Sequence, residues 1–552
     1  MRSNKFITLI LLSMILTLPF SGKAFHIDEN VNYKYGHYLK QHPFSPFRYA
    51  LIYDGRLLTH LYCMTHTPCA GYLNAAILTL IPEAEERVFH IFYAVFLALL
   101  LLSFHNLANH FLRSQMRATI ILLFTPAVLL TSHSIWPDLA ALSLAMAGLA
   151  VLSTTGAKKQ VFYYFLTTIL LTLAWMMAYP MFLFTVISPW AGMIKDSQKR
   201  LIFFPAIIST GFLFLVSCST FLQTGFPRFL LSYKGSLIIS PDFLMNLISL
   251  LCILGGTTLF PLFLGPYIVK RIGLTYSMIS IVCFLPLYLS LSPTGDELTR
   301  YFLLPLFLGC GLLIFWFMIN SFQWSLFNRF ITAEKKGQFY FNNRDQDLFI
   351  FVWFMIFILH NVFVVSFGAV RYALPLLPVI ILVFCRSLEK FELLHHKRLL
   401  LQGTVFVLTL CLALLLALAD FEFAQCYEDI FRKPSFRQFN KGIGTVYLVG
   451  KHGFQYYGEK NGYPMYVKNR VQLKTGDLLA RPLYCGSPLR SLLPPEDLKR
   501  LVKIASIPCQ GRLPLRLVQF EGNAGFYCSI VGILPYTIST APLEEFEIYL
   551  VP

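Results

Sequence analysis

The chain has 552 residues, of which 56% are hydrophobic, 16% aromatic and 13% charged, with a formal net charge of +17. A water-soluble globular chain carries about a quarter charged residues, so composition excludes a soluble fold and points to an α-helical polytopic membrane protein. The positive charge is no nucleic-acid footprint, because no dense Lys/Arg tract with interleaved aromatics stands apart from the loops between apolar runs.

Mostly apolar runs, many of them long enough for a hydrocarbon core of about 30 Å, recur along the chain. They predict about thirteen transmembrane helices, at 6–20, 88–107, 116–133, 137–153, 161–175, 177–193, 201–222, 243–265, 272–292, 301–320, 348–367, 371–386 and 399–419. Arg2 and Lys5 precede the first run and "SGKA" follows it, a pattern shared by a cleaved signal peptide and a retained span. Charge favours retention. With Met1 inside and thirteen spans, the inner segments hold nineteen Lys/Arg, Arg113, Arg117, Lys199 and Arg200 among them, whereas the short outer loops hold Arg228, Lys234, Arg300 and Arg371. The expected topology puts the N-terminus in the cytoplasm and the C-terminal region outside it.

The chain therefore divides into a membrane domain, 1–419, with a large extracytoplasmic first loop at 21–87, and a tail domain, 420–552. In the tail, "TVYLVG", "PMYVKN", "LRLVQF" and "FEIYLV" alternate with Gly, Pro and Asn, which predicts a small α/β or mainly β domain. Cys218, Cys252, Cys283, Cys310, Cys385 and Cys411 fall in spans as small buried hydrophobes. Cys63 and Cys69 in the first loop, and Cys426, Cys485, Cys509 and Cys528 in the tail, face a compartment that permits disulfides, and Cys63–Cys69 is the expected bridge. "HLYCMTHTPC" offers metal-ligand types without the paired spacing of structural zinc sites.

Acids gather at the outer ends of the spans. Asp28 and Glu29 follow the first, Asp138 lies between the third and fourth, and Asp296 and Glu297 precede the tenth. Capping of helix N-termini accounts for Asp138 and Asp296 equally well, but less so for Asp28, which follows a helix. "TRYFLLPLF" and "VRYALPLLP" place Arg300–Tyr301 and Arg371–Tyr372 at the outer starts of two helices, suited either to the interfacial belt or to anion binding. Carboxylates beside a phosphate-binding rim suit transfer of a sugar from a lipid phosphate to a hydroxyl.

In these residues the chain resembles the integral-membrane GT-C glycosyltransferases, in the branch of the protein O-mannosyltransferases and the lipid A aminoarabinose transferase (glycosyltransferase family 39-like). The resemblance rests on "HIDENVNY" after the first span, "TPAVLLTSHSIWPDLAALSLAMAGLAVL", "RYALPLLP", and a tail segment, "VGKHGFQYYGEKNGYPMY", similar to that of bacterial members. It implies a bacterial plasma (inner) membrane enzyme that uses a polyprenyl-phosphate-linked sugar donor and a lipid, glycan or protein acceptor, as in lipopolysaccharide or protein glycosylation. Asp28 would orient or deprotonate the acceptor with Glu29 beside it, and Asp138 would be the second-loop acid. Arg371 and Tyr372, with Arg300 and Tyr301 in the matching stretch, would approach the donor phosphate. A divalent metal assists some members, and no ligand set beyond the acids stands out here. The chain departs from the family in two places: Asn32 then Tyr33 stand where a Tyr four residues after the Asp is expected, and Arg56 or His60 must replace a missing Lys-Pro-Pro phosphate contact. A non-enzymatic transporter or flippase, or a polysaccharide polymerase, is the alternative class, though few ionisable residues sit mid-span and no half-to-half repeat is evident.

Overall fold

A computed structural model describes the chain except residue 1 and residues 59–67, 155–159, 194–202, 225–241, 259–298, 327–343, 393–398, 442–443 and 487. Among the described residues, five helices are long and apolar enough to cross a membrane: Glu86–Ala108, Pro137–Thr154, Tyr301–Ile319, Asp345–Val364 and Gly403–Arg432. The run expected as one span at 116–133 is a helix pair, Gln115–Phe124 and Pro126–Ser132, bent by 64°. Pro126 explains the break, since it lacks an N–H and drives the preceding Thr125 into extended backbone at ψ 123°. The runs expected as two spans at 161–175 and 177–193 are two helices, Gln160–Met177 and Phe182–Met193, parted at the extended Ala178. Among the described residues five helices, or six with the bent pair taken as one span, have the length and hydropathy to cross a membrane, and the expected span 272–292 lies outside them.

The first loop is folded. Helix Glu29–Gln41 crosses helix Cys69–Leu80 closely: a Cβ on Gly36 would lie 2.6 Å from the Asn74 Cβ, and one on Gly71 would lie 2.4 Å from the Tyr35 ring. Between them Leu51–Tyr53 and Arg56–Leu58 pair antiparallel around Asp54-Gly55, both at positive φ (53° and 72°), the turn that an Asp-Gly pair favours.

The last apolar helix, Leu399–Asp429, runs past position 420 into the tail, whose sheet has the order Val446–Leu448, Leu478–Pro482, Glu544–Leu550, Val502–Cys509. The first pair is parallel and the others antiparallel, so the tail is a small α/β unit. Its strands at 478–482 and 502–509 lie in stretches with no strong alternating pattern in the sequence. A disulfide joins Cys426, near the end of the long helix, to Cys509 on the edge strand. The expected Cys63–Cys69 bridge is not formed: Cys69 is a free thiol at the head of its helix, and Cys63 is outside the described residues. Closing 83 residues removes chain entropy from the unfolded state. Cys426→Ser is expected to lower unfolding stability by about 2–4 kcal/mol, read as a lower denaturation midpoint that reductant reproduces in the wild type.

Candidate functional site

A cavity of about 570 Å³ opens where the first loop, the segment at 367–372 and the tail meet. The helix Glu29–Gln41 presents one face to it: Asp28, Val31, Asn32 and Tyr35 line the wall, the spacing that one side of an α-helix provides. Most of the lining is apolar or aromatic, including Tyr49, Tyr53, Phe367, Tyr372, Tyr484, Phe520 and Tyr527. Asp28, Arg371, Lys451 and His452 are the acidic, basic and imidazole side chains among the described lining residues.

Asp28 is the residue preceding the helix Glu29–Gln41, so its carboxylate stands at a helix N-terminus rather than past a C-terminus. That reverses the sequence expectation: the dipole of the following helix favours its charge. Arg371 Nη1 donates to Asp28 Oδ2 at 3.3 Å, and the Tyr53 hydroxyl donates to Oδ1 at 3.2 Å. His452 Nδ1 lies 3.7 Å from Oδ1. Burial pushes the Asp28 carboxyl up, but Arg371 above all, with His452 and Lys451 behind it, outweighs burial and holds it at about 2. Asp28 is thus an ionised hydrogen-bond acceptor and a weak base.

Arg371 is itself 6% exposed and held in a fixed plane. Its guanidinium lies 5.4 Å from the Trp136 ring centre and 5.2 Å from that of Tyr372, and Nη2 donates to the Tyr372 hydroxyl at 3.3 Å. Stacking and forked hydrogen bonding of this kind suit arginine and not lysine.

Behind the cavity lies a buried polar network. Tyr527, on the cavity wall, donates to Asp420 Oδ1, and Asp420 Oδ2 accepts from Lys23 at 3.2 Å. His26 bridges Asp420 (3.1 Å) and Glu29 (2.8 Å), while Glu29 Oε1 accepts from the Ile135 N–H at 3.0 Å and lies 3.2 Å from His90 Nε2. Burial alone would raise the Glu29 carboxyl, yet Lys23, His26 and His90 keep it well below its ordinary range. Each carboxylate here faces a lysine, imidazole or N–H donor, the pairing that buried acids require. The network ties the first loop, the bent helix pair, the last apolar helix and the tail into one frame around Asp28.

This placement sorts the sequence candidates. Asp28, Arg371 and Tyr372 meet on one cavity. Glu29 does not join them: it is the next residue on the helix, turned about 100° away into the network. Tyr33 faces an aromatic cluster of Phe25, Phe89 and Tyr456 on that other side, and Asn32 takes the cavity position. Arg56 points out of the hairpin to the Ser491 carbonyl at 2.9 Å. Asp138 is buried at the start of helix Pro137–Thr154, off the cavity wall, with Oδ2 lacking a hydrogen-bond partner. Tyr301 is 68% exposed and is not part of the lining. The Arg300 side chain, His60, Asp296 and Glu297 lie outside the described residues.

Sequence reasoning missed Tyr53, Lys451, His452 and Tyr527. The Asp-Gly turn of "YDGR" marks the hairpin that carries Tyr53, and Lys451 and His452 sit inside the singled-out tail segment "VGKHGFQYYGEK". Tyr527 carried no such signal. As for a divalent cation, Asp28 is the one carboxylate among the described lining residues and is already neutralised by Arg371. These residues do not fit a metal site.

No family model and no curated protein matches the chain. Among solved structures it is similar to the oligosaccharyltransferase of Archaeoglobus fulgidus in the apo form, at 12% identity and a TM-score of 0.43, over 84% of this chain and 64% of that one. It is also similar to the same oligosaccharyltransferase tethered through a disulfide to an acceptor peptide containing the NVT sequon, at 12% identity and a TM-score of 0.41, with the same coverage. The chain thus spans less than two thirds of the length of these proteins.

Proposed function

We propose that this protein is a membrane glycosyltransferase that moves a sugar from a polyprenyl-phosphate donor to a lipid, glycan or protein acceptor. The reading is carried by one observation: ionised Asp28 and stacked Arg371, 343 positions apart, meet on the wall of a largely apolar, aromatic cavity. Such a cavity suits an amphiphile whose isoprenoid and sugar lie along apolar and ring surfaces while its phosphate seeks cations. Lys451 and Arg371 on its lining supply those cations. During transfer the acceptor oxygen bonds to the sugar's anomeric carbon as the bond from that carbon to the phosphate oxygen breaks. The bonding pair leaves with the phosphate, where Lys451 and Arg371 offset the growing charge. Asp28 stabilises the positive charge that develops on the sugar ring.

The disulfide Cys426–Cys509 supports an oxidising, extracytoplasmic side for the tail and hence for the cavity, in line with the charge bias of the loops. Purified protein in bilayers, supplied with a panel of labelled polyprenyl-phosphate sugars and a membrane-lipid extract, should release label from at least one donor into product. Consumption of none of the donors, with the protein folded and the acceptor varied, overturns the reading.

A further inference from the structure

Resting on that reading, we propose that His452 of the tail domain is a catalytic residue of the transfer, its Nδ1 receiving the hydroxyl proton of the acceptor. His452 lines the cavity, is 6% exposed, and its Nδ1 has no hydrogen-bond partner although it lies 3.7 Å from Asp28 Oδ1. A buried polar atom left unpaired in a ligand-sized cavity is costly and marks a place where a ligand's polar group belongs.

The backbone supports the same assignment. His452 is in the left-handed region at φ 62°, and it packs against the segment of Ile27, a β-branched residue also left-handed at φ 48°. Such conformations cost about 1–3 kcal/mol each and persist where surrounding structure enforces them. The enforcement is visible: a Cβ on Gly453 would lie 2.2 Å from the Phe25 carbonyl oxygen, and the Phe25 N–H donates to the Tyr457 hydroxyl at 3.0 Å. The tail helix His452–Lys460 is thereby pressed against the residues leading into Asp28, and the two strained residues flank the carboxylate.

The chemistry follows from the ring's state. Burial first, then the charge of Lys451, pushes the His452 imidazole down to about 3, so the ring is neutral at physiological pH. In the neutral ring one nitrogen carries the proton and the other a lone pair, and the tautomer protonated on Nε2 leaves that lone pair on the unpartnered Nδ1. A donor phosphate on Lys451 cancels that cation's push, while Asp28 favours the imidazolium. As the acceptor oxygen bonds to the anomeric carbon, its proton passes to Nδ1, and the ring then returns it to the departing phosphate oxygen. The products are glycosylated acceptor, protonated lipid phosphate and neutral His452.

His452→Gly tests this without inviting misfolding, because glycine relieves the left-handed backbone. The expected result is an unfolding midpoint no lower than wild type, KM for the donor changed less than about threefold, and kcat lowered about 10²-fold or more. Free imidazole, refilling the space of the ring, should restore a substantial part of kcat. The proposal is overturned if His452→Gly keeps wild-type turnover while Asp28→Asn loses it, which leaves the transferase reading standing, or if imidazole fails to restore a lost rate. Wild-type protein that transfers from no donor removes both the proposal and the reading beneath it.

Discussion

Asp28→Asn is expected to lower sugar transfer by about 10²- to 10⁴-fold at saturating donor while leaving the protein folded. The amide keeps the size and the position at the start of the helix Glu29–Gln41, yet removes the negative charge that the proposed transfer sets against the sugar. It also turns a group that accepts hydrogen bonds from Arg371 and Tyr53 into one that must donate on one side. Donor binding should suffer little, because the proposed phosphate contacts are the cations, so the loss should fall on kcat and not on KM. Initial rates across donor concentrations separate the two. Full turnover in Asp28→Asn would remove this carboxylate from the mechanism.

Arg371→Ala is expected to cost about 10²-fold in kcat/KM and to change the acid limb of the pH–rate profile. Arg371 is the main influence that overcomes burial and holds Asp28 at about 2. The sign is fixed by that balance. With the arginine, Asp28 is ionised throughout neutral and mildly acidic pH; without it, burial raises the carboxyl toward or above its ordinary value. Activity should therefore begin to fall at a higher pH in the variant than in the wild type. Arg371→Lys should rescue only part of the loss, since an ammonium cannot stack on Trp136 and Tyr372 while bonding Asp28 and the Tyr372 hydroxyl together. Parallel pH–rate profiles for the three proteins decide it, and a superimposable acid limb would contradict the assigned coupling.

What the sequence made legible is what short-range periodicity and charge carry. Apolar runs located the helix-forming segments, because burial in a membrane demands length and hydropathy of each segment by itself. The break at Pro126 was present in the letters but read as part of one run, since average hydropathy does not register the missing N–H. Asp28 and Arg371 stood out as charges at the ends of apolar runs. Glu29 is Asp28's neighbour in sequence, and Tyr33 and Arg56 are what the family resemblance offers; a 100° step along a helix or the alternation of a hairpin turns each of them elsewhere. Recognising "NVNYKYGHYL" as a helix with Asn32 and Tyr35 on the Asp28 face would have exchanged Tyr33 for them. His452, Lys451 and Tyr527 reach the cavity through contacts more than 400 positions from Asp28 in sequence, and no local pattern encodes such a meeting. The Cys426–Cys509 pairing is of the same kind: it depends on where the edge strand docks on the last apolar helix.

The most direct test of the central claim is a structure of the protein in a bilayer with a non-transferable analogue of whichever polyprenyl-phosphate sugar it consumes. The phosphate is expected within hydrogen-bonding reach of Lys451 or Arg371, and the anomeric carbon within about 4 Å of a position that an acceptor oxygen can share with Asp28 and His452. The isoprenoid should leave along the apolar wall toward the helices. An analogue seated in a different part of the molecule, with this cavity empty, would contradict it.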